Sequence, residues 1–235
     1  MTRLAAALAA ALLLIPVSAP QAARPVHAAK ANWIGTFSVS PSGGYIMGNP
    51  KAPVRLIEYA SLTCPHCAAF SEEGAPALRD TYVAKGLVSY EIRPLTRDRM
   101  DLAAFLLARC GGPRPFFASV SDIFAHQADW LEKAAGVESS FYTRLETLPP
   151  EALLPALAKS AGLDAMMLRY GIDQKHQQAC LIDQAAQKQL AAMRAQAESL
   201  GVPGTPGFLI NGTLVPNAAS WDALEPALRA ALHLK

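Results

Sequence analysis

Apolar and polar positions change rhythm several times along the chain. Val54-Arg55-Leu56-Ile57-Glu58-Tyr59-Ala60 is a run of strand length with an apolar, β-branched bias. From Pro65 to about Lys85 the spacing becomes helical, with Phe70, Ala77, Leu78 and Tyr82 among the apolar positions. Pro76 lies inside that stretch and predicts a kink, and Gly86 predicts its end as a glycine just past a helix does. A second strand is predicted over residues 87–93, where Val88, Tyr90 and Ile92 alternate. Strand, helix and strand in this order make a βαβ unit with a right-handed crossover.

Between residues 97 and 200 no stretch reads as a strand. Helical patterns cover residues 100–109, 115–126, 150–161 and 184–200, and Leu190, Met193, Ala197 and Leu200 share one face of the last. After Gly201 the chain turns β again. Phe208-Leu209-Ile210 and Thr213-Leu214-Val215 flank Asn211-Gly212, a strong hairpin signal because a type I′ turn needs positive φ at both central residues. Residues 219–232 close as a helix, which Pro226 bends or restarts. The order is βαβ, helices, ββα, an α/β class. It divides the chain into a polar, extended lead-in at 29–44, a first sheet part at 45–96, an all-α insertion at 97–200 and a second sheet part at 201–235.

The first 28 residues stand apart. Arg3 precedes an apolar segment from Leu4 to Ile15, followed by Pro16 and small residues. That is the pattern of an export signal, with Val26-His27-Ala28 as a small-x-Ala cleavage site; the bland alternative is a buried N-terminal helix. The apolar run falls short of the roughly 20 residues that span a bilayer. An exported, periplasmic protein in an oxidising compartment is expected, and all four cysteines lie beyond the signal. A formal net charge of +2 without a basic tract argues against nucleic acid as partner. With 51% apolar residues the chain can bury a sizeable core.

Composition leaves the chemistry to the cysteines. Cys64-Pro65-His66-Cys67 follows the first strand directly. A structural zinc site needs four ligands, and no second pair at similar spacing exists, so no metal is expected. A purely structural disulfide would close a loop too short to add much stability. The third reading is redox exchange. Cys64 would sit at the helix N-cap with Pro65 at N1, where its missing N–H costs nothing. Unpaired N–H groups and the positive end of the helix dipole would then favour the Cys64 thiolate, the reactive species, and His66 would add a nearby cation. Stabilising that thiolate makes the disulfide a stronger oxidant. Cys67, one turn deeper, would be the shielded, resolving thiol. Glu58 is either a surface carboxylate at an edge or a buried acid with raised pKa that exchanges the Cys67 proton. Cys110 and Cys180 sit near helix ends, and in an oxidising compartment a disulfide between them is expected; two inert buried thiols are the alternative. Gly201-Val202-Pro203-Gly204-Thr205-Pro206-Gly207 is a turn-rich stretch. A cis Pro206 there would expose the Thr205 backbone to an extended substrate strand. Met166 and Met167 are adjacent, so they form no metal-binding tract.

Glu58-Tyr59-Ala60-Ser61-Leu62-Thr63-Cys64-Pro65-His66-Cys67, the helical insertion, and Thr205-Pro206 before a hairpin together resemble the DsbA family of exported thiol–disulfide oxidoreductases. The resemblance spans nearly all of the mature chain. It implies a thioredoxin-like fold with an all-α domain inserted between the βαβ and ββα halves. It implies that the protein donates its disulfide to reduced, newly exported polypeptides and is reoxidised by a DsbB-like, quinone-linked membrane partner. No cofactor is expected on the chain itself. Cys64 would be the attacked sulfur, Cys67 the resolving thiol, His66 the tuner of Cys64, Glu58 the proton relay and Thr205-Pro206 the substrate clamp. Thr205 departs from the best-known oxidases, which carry Val before the cis proline, and resembles isomerases and some other branches. A disulfide isomerase or reductase on the same scaffold is therefore a competing expectation, and a non-redox, chaperone-like binder is another. Isomerases of this type usually carry an N-terminal dimerisation domain. Only a short segment separates Ala29 from Tyr45, which favours a monomeric oxidase.

Overall fold

The computed structural model describes residues 31–137 and 139–234. The expected signal, including Val26-His27-Ala28, lies outside the described residues. A six-stranded mixed sheet runs in the order β1-β2-β4-β3-β5-β6. β3 (Val54–Ala60) and β4 (Val88–Pro94) pair in parallel at its centre, and every other pairing is antiparallel. Two of these strands lie where the sequence suggested a lead-in or nothing regular. β1 (Phe37–Val39) and β2 (Tyr45–Gly48) are only three and four residues long, too short for a period to show. They reach strand geometry by pairing, β2 against β4 and β1 against β2.

The alternation in β4 predicted one buried face, yet all seven residues are buried. Ser89, Glu91 and Arg93 on its second face are buried as well, and Arg93 forms two hydrogen bonds to the Glu91 carboxylate, at 2.7 and 3.1 Å, and others to Tyr59 and Gln196. A buried ion pair persists where both partners are fully bonded in this way.

β3 leads into α1 (Pro65–Glu73), which stops before the Pro76 at which a kink is expected. Gly74 separates α1 from the short α2 (Ala75–Ala77), and the chain continues as a wider π-type turn over Leu78–Val83. Gly86, at φ +72°, then reverses the chain, and a Cβ there would lie 2.6 Å from the Trp33 indole nitrogen.

All helices between β4 and β5 belong to the insertion. Four match the sequence pattern within two residues: α3 (Arg99–Cys110), α4 (Pro113–Ala125), α7 (Pro150–Ser160) and α10 (Gln184–Ser199). Four more were not apparent from the pattern: α5 (Gln127–Ala135), α6 (Ser139–Glu146), α8 (Leu163–Leu168) and α9 (Gln174–Leu181). Each has nine residues or fewer, so its apolar face spans hardly two turns.

The chain then returns through β5 (Gly207–Ile210) and β6 (Thr213–Val215), and Asn211 and Gly212 both take positive φ as the hairpin requires. α11 (Trp221–Ala231) runs through Pro226 without a break.

One continuous core joins the sheet to the helices. Phe70 of α1 meets Phe208 of β5 at 4.7 Å between ring centres, and Tyr45 of β2 meets Phe116 of α4 edge to face at 4.7 Å. Burying a side chain such as Phe70 contributes about 2 kcal/mol. A smaller cluster of Ile57, Tyr59, Leu209 and Ala197 packs on the opposite face of the sheet under α10. This two-sided packing decides where Glu58 points. Strand alternation puts it on the side of Val54, Leu56 and Ala60, the face covered by α1.

Candidate active site

The chain leaves β3 in a tight turn, closed by the Cys64 N–H donating to the Ser61 carbonyl at 3.1 Å. Cys64 is the N-cap of α1 with extended backbone, and Pro65 occupies the first turn. No side chain caps this helix, so its first N–H groups are open to the Cys64 sulfur. The Cys64 thiol is held down to about 4. The foremost cause is a hydrogen bond from the Cys67 side chain, supported by the Thr205 side chain and the backbone of Cys67 and His66, against the opposing effect of burial. Cys67 is fully buried and its thiol is pushed far up, first by burial and then by its bond to Cys64 and the nearby charge of Glu58. The two sulfurs are free, and their environments separate a ready thiolate from a thiol that holds its proton.

The loop of Thr205 and Pro206 folds back against this helix start. The Thr205–Pro206 peptide is cis, and Cys64 Sγ lies 3.1 Å from the Thr205 carbonyl oxygen. Cys64, Pro65 and His66 line an open groove of about 630 Å³ together with Arg97, Pro203 and Thr205. His66 is exposed at its rim. The structure thus brings Cys64, Pro65, His66, Cys67, Thr205 and Pro206 together, although nearly 140 residues separate the two segments in sequence.

Glu58 is not a surface carboxylate. It is 2% exposed, and burial raises its pKa to about 7; a bond from the Tyr90 hydroxyl opposes that rise, and the charge of Cys64 adds to it. By sequence Tyr90 is one apolar position in an alternating strand. Its hydroxyl donates to the Glu58 carboxylate, and burial beside that carboxylate raises its own pKa strongly. The only sequence cue was its place in the strand expected beside Glu58. Both residues line a small cavity of about 90 Å³ with Ser71 and Ser121, large enough for water. Two insertion residues also missed in the sequence, Asp101 and Gln127, bond to the backbone of the turn before Cys64. Burial raises Asp101 to about 7, opposed by bonds from Ser61 and from the backbone of Arg97 and Leu62.

Cys110 and Cys180 lie apart from this site. They are joined by a disulfide between the end of α3 and α9. Among the described residues, no three His, Cys, Asp or Glu side chains converge as metal ligands, and no helix is long and apolar enough to cross a membrane.

The family model described as Thioredoxin matches residues 40–230, nearly the whole described chain. The chain belongs to the thioredoxin family. Within that family its fold is the DsbA-like form, with helices between the two parts of the sheet. Among solved structures, a protein-disulfide isomerase from Novosphingobium aromaticivorans is similar, with 31% identity and a TM-score of 0.74 over 80% of this chain and 96% of that one. The α-DsbA1 of Wolbachia pipientis shares the fold at 20% identity, with a TM-score of 0.66 over 83% of this thioredoxin-family chain and 94% of its own. A Rickettsia typhi protein that carries the name of a protein-disulfide oxidoreductase is 28% identical over 199 residues, 84% of this chain. The match spans 65% of that relative's own length.

Proposed function

We propose that this protein is a thiol–disulfide oxidoreductase that donates the Cys64–Cys67 disulfide to reduced exported polypeptides. The observation that carries this reading is the pairing of a Cys64 thiol held near 4 with a fully buried, high-pKa Cys67 at one helix start. In the oxidised protein a substrate thiolate attacks Cys64 Sγ. The Cys64–Cys67 bond breaks, and Cys67 leaves with the electron pair. In this reading Glu58 returns a proton to it. A second substrate thiolate then attacks the substrate sulfur of the mixed disulfide and releases the Cys64 thiolate. The substrate loses two electrons and gains a disulfide, while the protein ends as the dithiol. The low pKa of Cys64 makes it the better leaving group, which favours this direction. His66 and the Thr205-Pro206 loop border the place where the substrate strand would lie. The resemblance to the DsbA family extends the reading to an exported, periplasmic, monomeric protein reoxidised by a DsbB-like, quinone-linked membrane partner.

Isomerase activity is a second reading, favoured by Thr205 before Pro206 and by the likeness to the Novosphingobium protein called an isomerase. One experiment separates them. The oxidised protein is mixed at equal concentration with a reduced, unfolded disulfide protein, and separately the dithiol protein is mixed with a scrambled, oxidised one. Rapid transfer of one disulfide per molecule to the reduced substrate supports the oxidase. Recovery of the scrambled substrate without net oxidation supports the isomerase. Failure of both reactions would overturn the redox assignment.

A further inference from the structure

The turn that carries Cys64 is gripped from the helical insertion. Asp101 lies fully buried in the first turn of α3, whose N-cap is already supplied by Asp98 at 2.8 Å from the Asp101 N–H. Its carboxylate serves other chain segments. Oδ1 accepts the Leu62 N–H at 2.8 Å and Oδ2 accepts the Arg97 N–H at 2.9 Å, which ties the start of α1 to the start of α3. Gln127 opens α5, also buried, and its Nε2 donates to the Leu62 carbonyl at 2.8 Å and the Cys64 carbonyl at 3.0 Å. Both backbone polar groups of Leu62 are therefore held by side chains of the insertion. The Cys64 carbonyl that Gln127 holds is the same one that accepts the first helical N–H groups, from Cys67 and Ala68.

A buried amide and a buried carboxylate are costly unless fully bonded, and here their bonds converge on one reacting residue. We propose that Asp101 and Gln127 are positioning residues that fix the 61–64 turn, and with it the direction in which Cys64 Sγ faces the first turn of α1 and the Thr205 loop. The inference rests on thiol–disulfide exchange at Cys64. It gives the insertion a part in that exchange, because the insertion holds the backbone of the nucleophile.

The test needs a matched control, since losing any buried amide weakens a fold. Gln177 supplies one. It is buried in α9, and its Nε2 donates to the Asp164 and Ile172 carbonyls at 2.9 and 2.7 Å. Gln127→Met and Gln177→Met remove the same chemistry at two places, and both should lower the unfolding midpoint. Only Gln127→Met should move the Cys64 thiolate titration, raising its midpoint by about one pH unit as the sulfur loses alignment with its donors. The same variant should lower the equilibrium constant for oxidation of glutathione about tenfold, or roughly 30 mV. Asp101→Asn keeps one acceptor and should shift both readings in the same direction by a smaller amount; it serves if Gln127→Met does not fold. If the wild type exchanges with glutathione and these variants match its titration and equilibrium constant, the positioning role is overturned. A wild type that does not exchange at all overturns the redox reading itself.

Discussion

Glu58→Gln gives the sharpest test of the buried acid. In the folded protein the Glu58 carboxyl is raised from its ordinary 4.5 to about 7, chiefly by burial. Below pH 4.5 the carboxyl is protonated in both folded and unfolded chains, and it costs nothing. Between pH 4.5 and about 7 the unfolded chain releases this proton while the folded one keeps it. Stability contributed by the group is therefore full below 4.5 and falls as pH rises through the folded pKa. At 1.36 kcal/mol per pH unit the loss reaches about 3 kcal/mol above pH 7. Glutamine matches the shape of the protonated acid and still accepts from Tyr90, but it never ionises. The reduced variant should thus equal the wild type below pH 4.5 and exceed it by about 3 kcal/mol above pH 7. Equilibrium denaturant unfolding of both dithiol proteins across this range measures the difference. Asp101 and Cys64 titrate in both proteins, so their contributions cancel to first order. A stability difference that stays flat through the window, or that favours the wild type as pH rises, would refute the assignment of a buried, reluctant acid.

Two further outcomes follow from the cysteines. Cys67→Ala removes the foremost donor to the Cys64 sulfur, so the midpoint of its thiolate absorbance should rise from about 4, and the variant should retain substrate as a mixed disulfide at Cys64; an unchanged midpoint would mean that the helix start alone sets the thiolate. Replacing both Cys110 and Cys180 by Ala opens a link between residues 70 apart and should cost about 4 kcal/mol in unfolding, with the Cys64–Cys67 equilibrium against glutathione held within about twofold of the wild type.

The parts of the fold that showed in the sequence are those where a local rule and the final packing agree. β3 ends where its apolar run ends, and Asn211-Gly212 turns because both residues tolerate positive φ. β1 and β2 did not show, because three or four residues carry no period; β2 owes its shape to pairing with β4, and β1 to pairing with β2. The helices missed in the insertion are short and partly polar, so packing rather than periodicity holds them.

The same division runs through the site. Cys64, Cys67, Glu58 and Thr205-Pro206 were legible because their chemistry is unusual for their local setting: thiols at a helix start, a carboxylate in an apolar strand, and a proline just before one. Asp101 and Gln127 looked ordinary by that measure. An acid in a helix's first turn reads as a partner of the helix dipole, and a glutamine just past an expected helix reads as surface. What sets them apart is that α3 and α5 carry them to the backbone of Leu62 and Cys64, contacts made across 39, 65 and 63 residues. Residues that react can be found from their type and neighbours, whereas residues that aim them become visible only once the chain has folded back. Here the second group sits in the insertion, so on the proposed reading a variant with the Cys64–Cys67 motif intact can still lose a well-directed thiolate through a change in α3 or α5.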